Sequence, residues 1–290
     1  MTTLGAVFLP QFPPERLRSV ATAADAAGLE ELWLWEDCFK EGGLTAMTAA
    51  LAWTERLRVG IGLLPVPMRN VASLAMDAAT LERLFPGRPV LAVGHGVLDW
   101  MGQIGARAAS PLTLLSEYLD ALRALLAGET LNTEGRYVRL RDVTLDWPPE
   151  RPVRVLAGAE GPKTLELVGA KADGTILTGG TTPDQVRAAR ERIDAGRARA
   201  GRTDPHPVTT YVLVATGPDA TARFEAERKN WDFPDGADVG VAGDAEAVAA
   251  ALQRWIDAGT DTIVLQPTAD EPDPEGFVRF VGEQVRPLLA

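Results

Sequence analysis

One cysteine and two histidines in 290 residues remove several chemistries at the outset. Cys38 has no partner for an intrachain disulfide, which fits a reducing compartment. With His95 and His206 the only imidazoles, a zinc site of the His/Cys type is excluded. Cations are also short. Lys and Arg number 29 against 40 Asp and Glu, a formal charge of −11, and no basic stripe is present to follow a nucleic-acid backbone. No apolar run approaches the roughly 18 residues of a membrane span, and Met1 to Pro10 carries no basic region of a secretory signal. These features lead to the expectation of a soluble, cytoplasmic protein acting on a small molecule, with neither nucleic acid nor membrane as partner. G-x-S-x-G, Walker A and Cys–His patterns are missing as well. Cys38 sits beside Asp37, a poor place for a thiolate, so covalent catalysis through Ser or Cys finds no support.

What the chain does have is glycine, proline and a repeated alternation of short apolar runs with helical patterns. Glycine numbers 28, proline 21, and 46% of residues are hydrophobic. Strands are expected at Leu4–Leu9, Leu32–Trp35, Val59–Leu64, Val90–Val93, Val153–Leu156, Gly174–Leu177, Thr209–Ala215 and Thr262–Leu265. Between them lie helical spacings, clearest at Val71–Leu84 and Leu112–Leu126, the second with Leu115, Leu119, Leu122 and Leu126 on one face. Thr130–Trp147 interrupts the rhythm with an alternating segment and a Glu134-Gly135 turn, read as a β-hairpin excursion between the fourth helix and the fifth strand. Lys229–Gly243 has no readable period. Strands alternating with helices imply a parallel sheet covered by helices. Eight such units over residues 1–290 match one closed (β/α)8 TIM barrel of the α/β class, a single domain.

In such a barrel the ligand gathers beyond the C-terminal ends of the strands. Glu36 and Asp37 close the second strand, where paired carboxylates can do acid/base work or one can simply cap a helix. Gly94-His95-Gly96 closes the fourth. It is not a dinucleotide fingerprint, because Asp99 stands where the third glycine belongs, but its glycines admit something flat or charged close to the backbone. His206, ahead of the seventh strand, belongs at the opposite end and reads as structural. Ala157-Gly158-Ala159-Glu160-Gly161-Pro162-Lys163 offers a helix N-terminus suited to phosphate, and Gly179-Gly180-Thr181-Thr182 a second. Gly60 and Gly62 mark a bulge or a close approach inside the third strand.

Three blocks in this order resemble the luciferase-like flavin and deazaflavin oxidoreductases. They are Glu31 to Asp37, Arg69 to Arg88 with Val90 to Gly96, and Ala157 to Pro162 with Gly169, Ala172, Asp173 and Gly174 beyond. The pattern is most like the deazaflavin-dependent methylene-tetrahydromethanopterin reductase branch. The resemblance implies a TIM barrel binding coenzyme F420, or alternatively FMN, with a non-prolyl cis peptide at Gly62-Leu63 forming a bulge behind the ring. It places the cofactor against Asp37, Gly62, Leu63, Leu64, Gly94, His95, Gly96, Gly158, Ala159, Glu160, Gly161, Pro162 and Lys163. Glu36, Asp37 and His95 are left as the residues that handle the proton, and no metal is implied. Cys38 and Val97 stand where the sugar-phosphate dehydrogenases of the family have His and Glu, which argues against sugar-phosphate oxidation, and Val71 replaces the usual Pro. The activity implied is hydride transfer between coenzyme F420 and a small organic substrate. The alternatives are an FMN-dependent monooxygenase fed by a separate reductase, a flavin-binding barrel without turnover, and an unrelated barrel enzyme such as a carboxylate-based hydrolase. Family habit adds a homodimer and a separate flavin or F420 reductase as partners.

Overall fold

A computed structural model describes residues 2–289. Parallel strands β1 (Thr3–Phe8), β2 (Glu31–Leu34), β3 (Arg58–Pro65) and β4 (Pro89–Gly94) lie side by side. After a small antiparallel hairpin, β5 (Leu131–Glu134) and β6 (Arg139–Val143), the barrel continues with β7 (Val155–Gly158), β8 (Gly174–Leu177) and β9 (Val208–Ala215). A three-residue strand, β10 (Gly240–Ala242), precedes the last barrel strand, β11 (Thr262–Gln266). β11 pairs with β1 and with β9, and β8 with β9, so the eight strands close into a TIM barrel. Its strands are buried on both faces, and their near-continuous Val, Leu, Ile and Ala runs follow from that.

Helices α1 (Leu17–Ala26), α2 (Gly43–Trp53), α3 (Val71–Leu84), α4 (Leu98–Gln103) and α5 (Pro111–Leu126) cover the first half. α6 (Pro162–Lys171), α7 (Pro183–Arg199), α8 (Ala220–Asn230), α9 (Ala245–Asp257) and α10 (Pro274–Arg279) cover the second. The hairpin is tied to α5, because the Glu117 carboxylate accepts hydrogen bonds from the N–H groups of Arg136, Tyr137 and Val138 at 2.8–3.0 Å. The elements expected from the sequence are present within a few residues, with three differences. α4 has too few turns to show a helical period. β10, too short to alternate, lies inside the patternless segment. The expected last helix is split, because α10 ends at Arg279 and wider and tighter helical turns follow as far as Leu288.

Two glycines of β3 are explained by the barrel interior rather than by backbone freedom. A Cβ on Gly60 would collide with the Trp33 ring, and one on Gly62 with the Tyr211 hydroxyl. Below them the Trp33 indole donates to Glu31 at 2.8 Å, and Glu31, only 2% exposed, pairs with Arg58 at 2.7 Å. Burial still raises the Glu31 pKa.

His206 lies at this same end of the barrel, as expected. Its Nε2 is 2.8 Å from the Thr175 hydroxyl, and burial, with Arg197, Arg202 and Arg190 nearby, lowers its pKa to about 4. A histidine held neutral in the folded chain contributes stability above the unfolded value of 6.5. That contribution is lost as the pH falls towards 4, because the unfolded chain takes the proton first, at up to about 1.4 kcal/mol per pH unit. Urea titrations at pH 7 and pH 5 are expected to show a larger loss of stability for the wild type than for His206→Gln.

Candidate active site

A cavity of about 540 Å³ opens at the C-terminal ends of the barrel strands, within the size range of small-molecule and cofactor sites. β3 supplies its floor. The ladder between β3 and β4 slips between Ile61 and Leu64, the bulge expected here, and the Gly62-Leu63 peptide is cis. Leu63 is turned sideways across its neighbours, where a Cβ on Gly94 of β4 or on Gly158 of β7 would collide with its side chain. Glycines on two adjacent strands thus make room for one leucine on a third. A second cis peptide, Cys38-Phe39, follows β2 and has no counterpart in the sequence reading.

β2 ends at Leu34 and leads into Trp35, Glu36 and Asp37, all lining the cavity. The two carboxylates, equivalent in sequence, have opposite surroundings. Glu36 accepts from the Gly43 N–H at 3.1 Å and is held in a two-pronged pair by Arg69, at 2.8 Å on each oxygen. Its side chain is 8% exposed and that of Arg69 18%. Asp37 forms no such pair among the described residues, and partial burial raises its pKa against the weaker pull of Lys40. Beside them, burial and the negative charges of Glu36 and Asp37 push the Cys38 thiol up, so it stays protonated.

His95 follows β4 and is half-buried. Desolvation lowers its pKa, and its Nε2 lies 3.4 Å from the Thr164 hydroxyl of α6. The β7–α6 turn completes this side with Gly158, Ala159, Glu160 and Gly161. The two glycine-rich helix starts singled out in the sequence now separate. α7 is closed by a capping box, in which Thr182 accepts from Gln185 N–H and the Gln185 side chain accepts from Thr182 N–H. α6 has Gly161 at its N-cap and no capping side chain, so its first-turn N–H groups stay available to an anion.

Of the residues singled out for the site, Glu36, Asp37, Gly62, Leu63, His95, Gly96, Gly158, Ala159, Glu160 and Gly161 meet at the cavity. Gly94 backs Leu63. Leu64 is wholly buried in the core, and Pro162 and the exposed Lys163 lie outside the lining. The far wall was not read from the sequence. It is built from Ile176, Leu177 and Thr178 of β8 and its loop, Tyr211 of β9, Trp100 of α4, and Trp231 just beyond α8. Tyr211 had one signal, being the aromatic in the middle of an otherwise aliphatic and Thr-rich strand. Trp231 had none. β8 pairs with Val208–Thr210 of β9, and β10 with Leu213–Ala215. Since β11 occupies the other edge of β9, β10 takes over where β8 leaves, and the chain between α8 and β10 is drawn to the cavity mouth.

Comparison with known proteins adds a family. A model described as luciferase-like monooxygenase matches residues 2–261. The 5,10-methylenetetrahydromethanopterin reductase of Methanolobus tindarius is 29% identical over 220 residues, which cover 75% of this chain and 67% of that protein. The F420-dependent glucose-6-phosphate dehydrogenase of Microbacterium testaceum is 26% identical over an alignment of 324 residues, covering 96% and 94%. Among solved structures, an F420-dependent secondary alcohol dehydrogenase in complex with an F420-acetone adduct superposes with a TM-score of 0.88 at 21% identity, covering 100% of this chain and 99% of that one, a likeness of fold.

Proposed function

The chain belongs to the luciferase-like monooxygenase family, and on that footing we propose that it is a hydride-transferring oxidoreductase using coenzyme F420 on a small organic substrate. Relatives named as F420-dependent glucose-6-phosphate dehydrogenases support the cofactor. The observation that carries the reading is the floor of the cavity, where Leu63 is set across Gly94 and Gly158, in a cavity that Gly161 at the uncapped start of α6 also lines. Such a floor fits a flat ring, and the helix start fits a phosphate-bearing tail. Bound coenzyme F420 supplies the carbon that gives or takes the hydride, so most of the protein's work is positioning.

The residues divide that work. Gly62, Leu63, Gly94, Gly96 and Gly158 shape the ring's bed, and Ala159, Glu160, Gly161 and the first turn of α6 receive the tail. Asp37 holds the proton that accompanies the hydride, because it lines the cavity without an ion-pair partner among the described residues and burial raises its pKa, favouring the protonated form. His95, kept neutral by burial, bridges to Thr164 and orients the tail side of the cavity. Glu36, already paired, sets the position of Asp37 and the start of α2. Two partners belong to the same reading, a second copy of the chain and a separate reductase that recharges the deazaflavin.

Oxygen separates this activity from the monooxygenase alternative. Mixed with reduced F420 and a panel of small carbonyl acceptors, the protein is expected to oxidise the cofactor equally fast under nitrogen and in air. Oxygen uptake dependent on reduced FMN, with no oxidation of reduced F420, would overturn the proposal.

A further inference from the structure

We propose that the substrate held in this cavity is a flat, uncharged, hydrophobic molecule, seated against Trp35 and Trp231. The inference rests on the cavity being the reaction site of the bound cofactor, and it adds the class of molecule that shares it.

The cavity is polar at one end and aromatic at the other. His95, Glu160, Gly161 and Thr164 gather at the uncapped start of α6. Opposite stand Trp35, Tyr211 and Trp231. Trp35 meets Tyr211 edge to face, with centroids 5.3 Å apart at 86°, and Trp231 at 6.0 Å and 79°. In each edge-to-face pair the edge of one ring covers one face of the other and leaves its opposite face free of that partner, and an offset or T-shaped aromatic is what such a face accepts best.

Trp231 is held for this purpose from outside the cavity. Its indole N–H donates to the Glu227 carboxylate at 2.8 Å, so the polar atom is satisfied away from the ligand. Phe233 stacks on it at 5.9 Å and 19°. Phe233 is seated in turn on Gly180, whose φ of +81° and lack of a side chain leave room for that ring. At 39% exposed, Trp231 stands at the mouth, where an entering molecule passes. A ring fixed before binding loses little freedom when the ligand arrives.

Charge narrows the class further. Among the described residues no Lys or Arg lines the cavity, whereas Glu36, Asp37 and Glu160 do. Arg69, the cation beneath the wall, is already committed to Glu36. A sugar phosphate or carboxylate would meet Asp37 with no cation in the cavity lining to offset the repulsion, and a polyol would leave hydroxyls unpaired against indole faces.

The test uses three probes on the F420-loaded protein, read by calorimetric titration: 2-naphthol, 2-naphthalenesulfonate with the same rings and a negative charge, and decahydro-2-naphthol with the charge absent and the flatness lost. The expected order is 2-naphthol tightest, with each of the others at least about tenfold weaker. Trp231→Ala is expected to weaken 2-naphthol at least about tenfold and Trp231→Phe to recover most of the loss. Trp147→Ala, at an exposed tryptophan outside the cavity, serves as the control with wild-type affinity. Equal or tighter binding of the sulfonate or of the decahydro compound overturns the inference, as does unchanged 2-naphthol affinity in Trp231→Ala. Should the wild type fail to bind F420, the functional reading fails, while the same probe order measured on the cofactor-free protein still decides this inference.

Discussion

Asp37→Asn is expected to lower kcat by about 10²–10⁴ while leaving F420 affinity within a few-fold of wild type. The residue lines the cavity at the end of β2 and carries a carboxyl whose pKa burial has raised. Asparagine keeps the shape and removes the exchangeable proton. In the direction of substrate reduction Asp37 is the acid, so the rate falls as pH rises through the raised pKa. In the direction of oxidation it is the base, and the rate rises over the same interval. Either limb of the kcat/KM profile disappears in the variant. In the variant, stability moves opposite to activity. A carboxyl with a raised folded pKa contributes stability below its unfolded value and loses it as pH rises through the folded one. Asp37→Asn, uncharged throughout, is therefore expected to be at least as stable as wild type at neutral pH, which separates loss of chemistry from loss of fold.

Arg69→Ala is expected to cost about 3–5 kcal/mol of unfolding free energy, because it strands a buried carboxylate. Glu36 would keep only the Gly43 N–H of its present partners. Since Glu36 sits between Trp35 and Asp37 and holds the first residue of α2, activity is expected to fall with stability. Replacing both partners, Glu36→Met with Arg69→Met, removes the stranded charge and is expected to restore most of the stability. Activity stays low, since the proton-bearing wall loses its anchor. Denaturant titrations of the single and double variants check the pair, and the difference should persist in high salt because the pair is shielded from solvent.

These two residues also mark where the sequence stopped being informative. The barrel was legible because buried parallel strands and amphipathic helices leave different periods, and Val71–Leu84 coincides with α3. The bulge at Gly62-Leu63 and the α6 turn were legible through resemblance together with local glycine chemistry. The division of labour between Glu36 and Asp37 was not. It depends on Arg69, 33 residues away in sequence, and adjacent acids carry no local sign of which will be paired. The phosphate-type turns after β7 and β8 likewise looked alike until the Thr182 capping box closed one of them. Lys163 matched the motif by position, yet its side chain points to solvent, because charge at a helix start does not fix which face it occupies. Trp231 was invisible for another reason. Its placement follows from β10 replacing β8 along β9, a pairing that a three-residue strand cannot announce.

The central claim is that coenzyme F420 lies on the Leu63 floor between Gly94 and Gly158. A fluorescence titration with F420, and separately with FMN, of the wild type, Gly158→Val and Leu63→Ala tests it most directly. Valine at position 158 would occupy the space that Leu63 now fills and push it into the ring's bed. Saturable one-to-one binding of F420 by the wild type, weakened at least about a hundredfold in Gly158→Val and partly regained when Leu63→Ala is added, is the expected result. Tight binding of FMN alone, or F420 affinity indifferent to both substitutions, would contradict it.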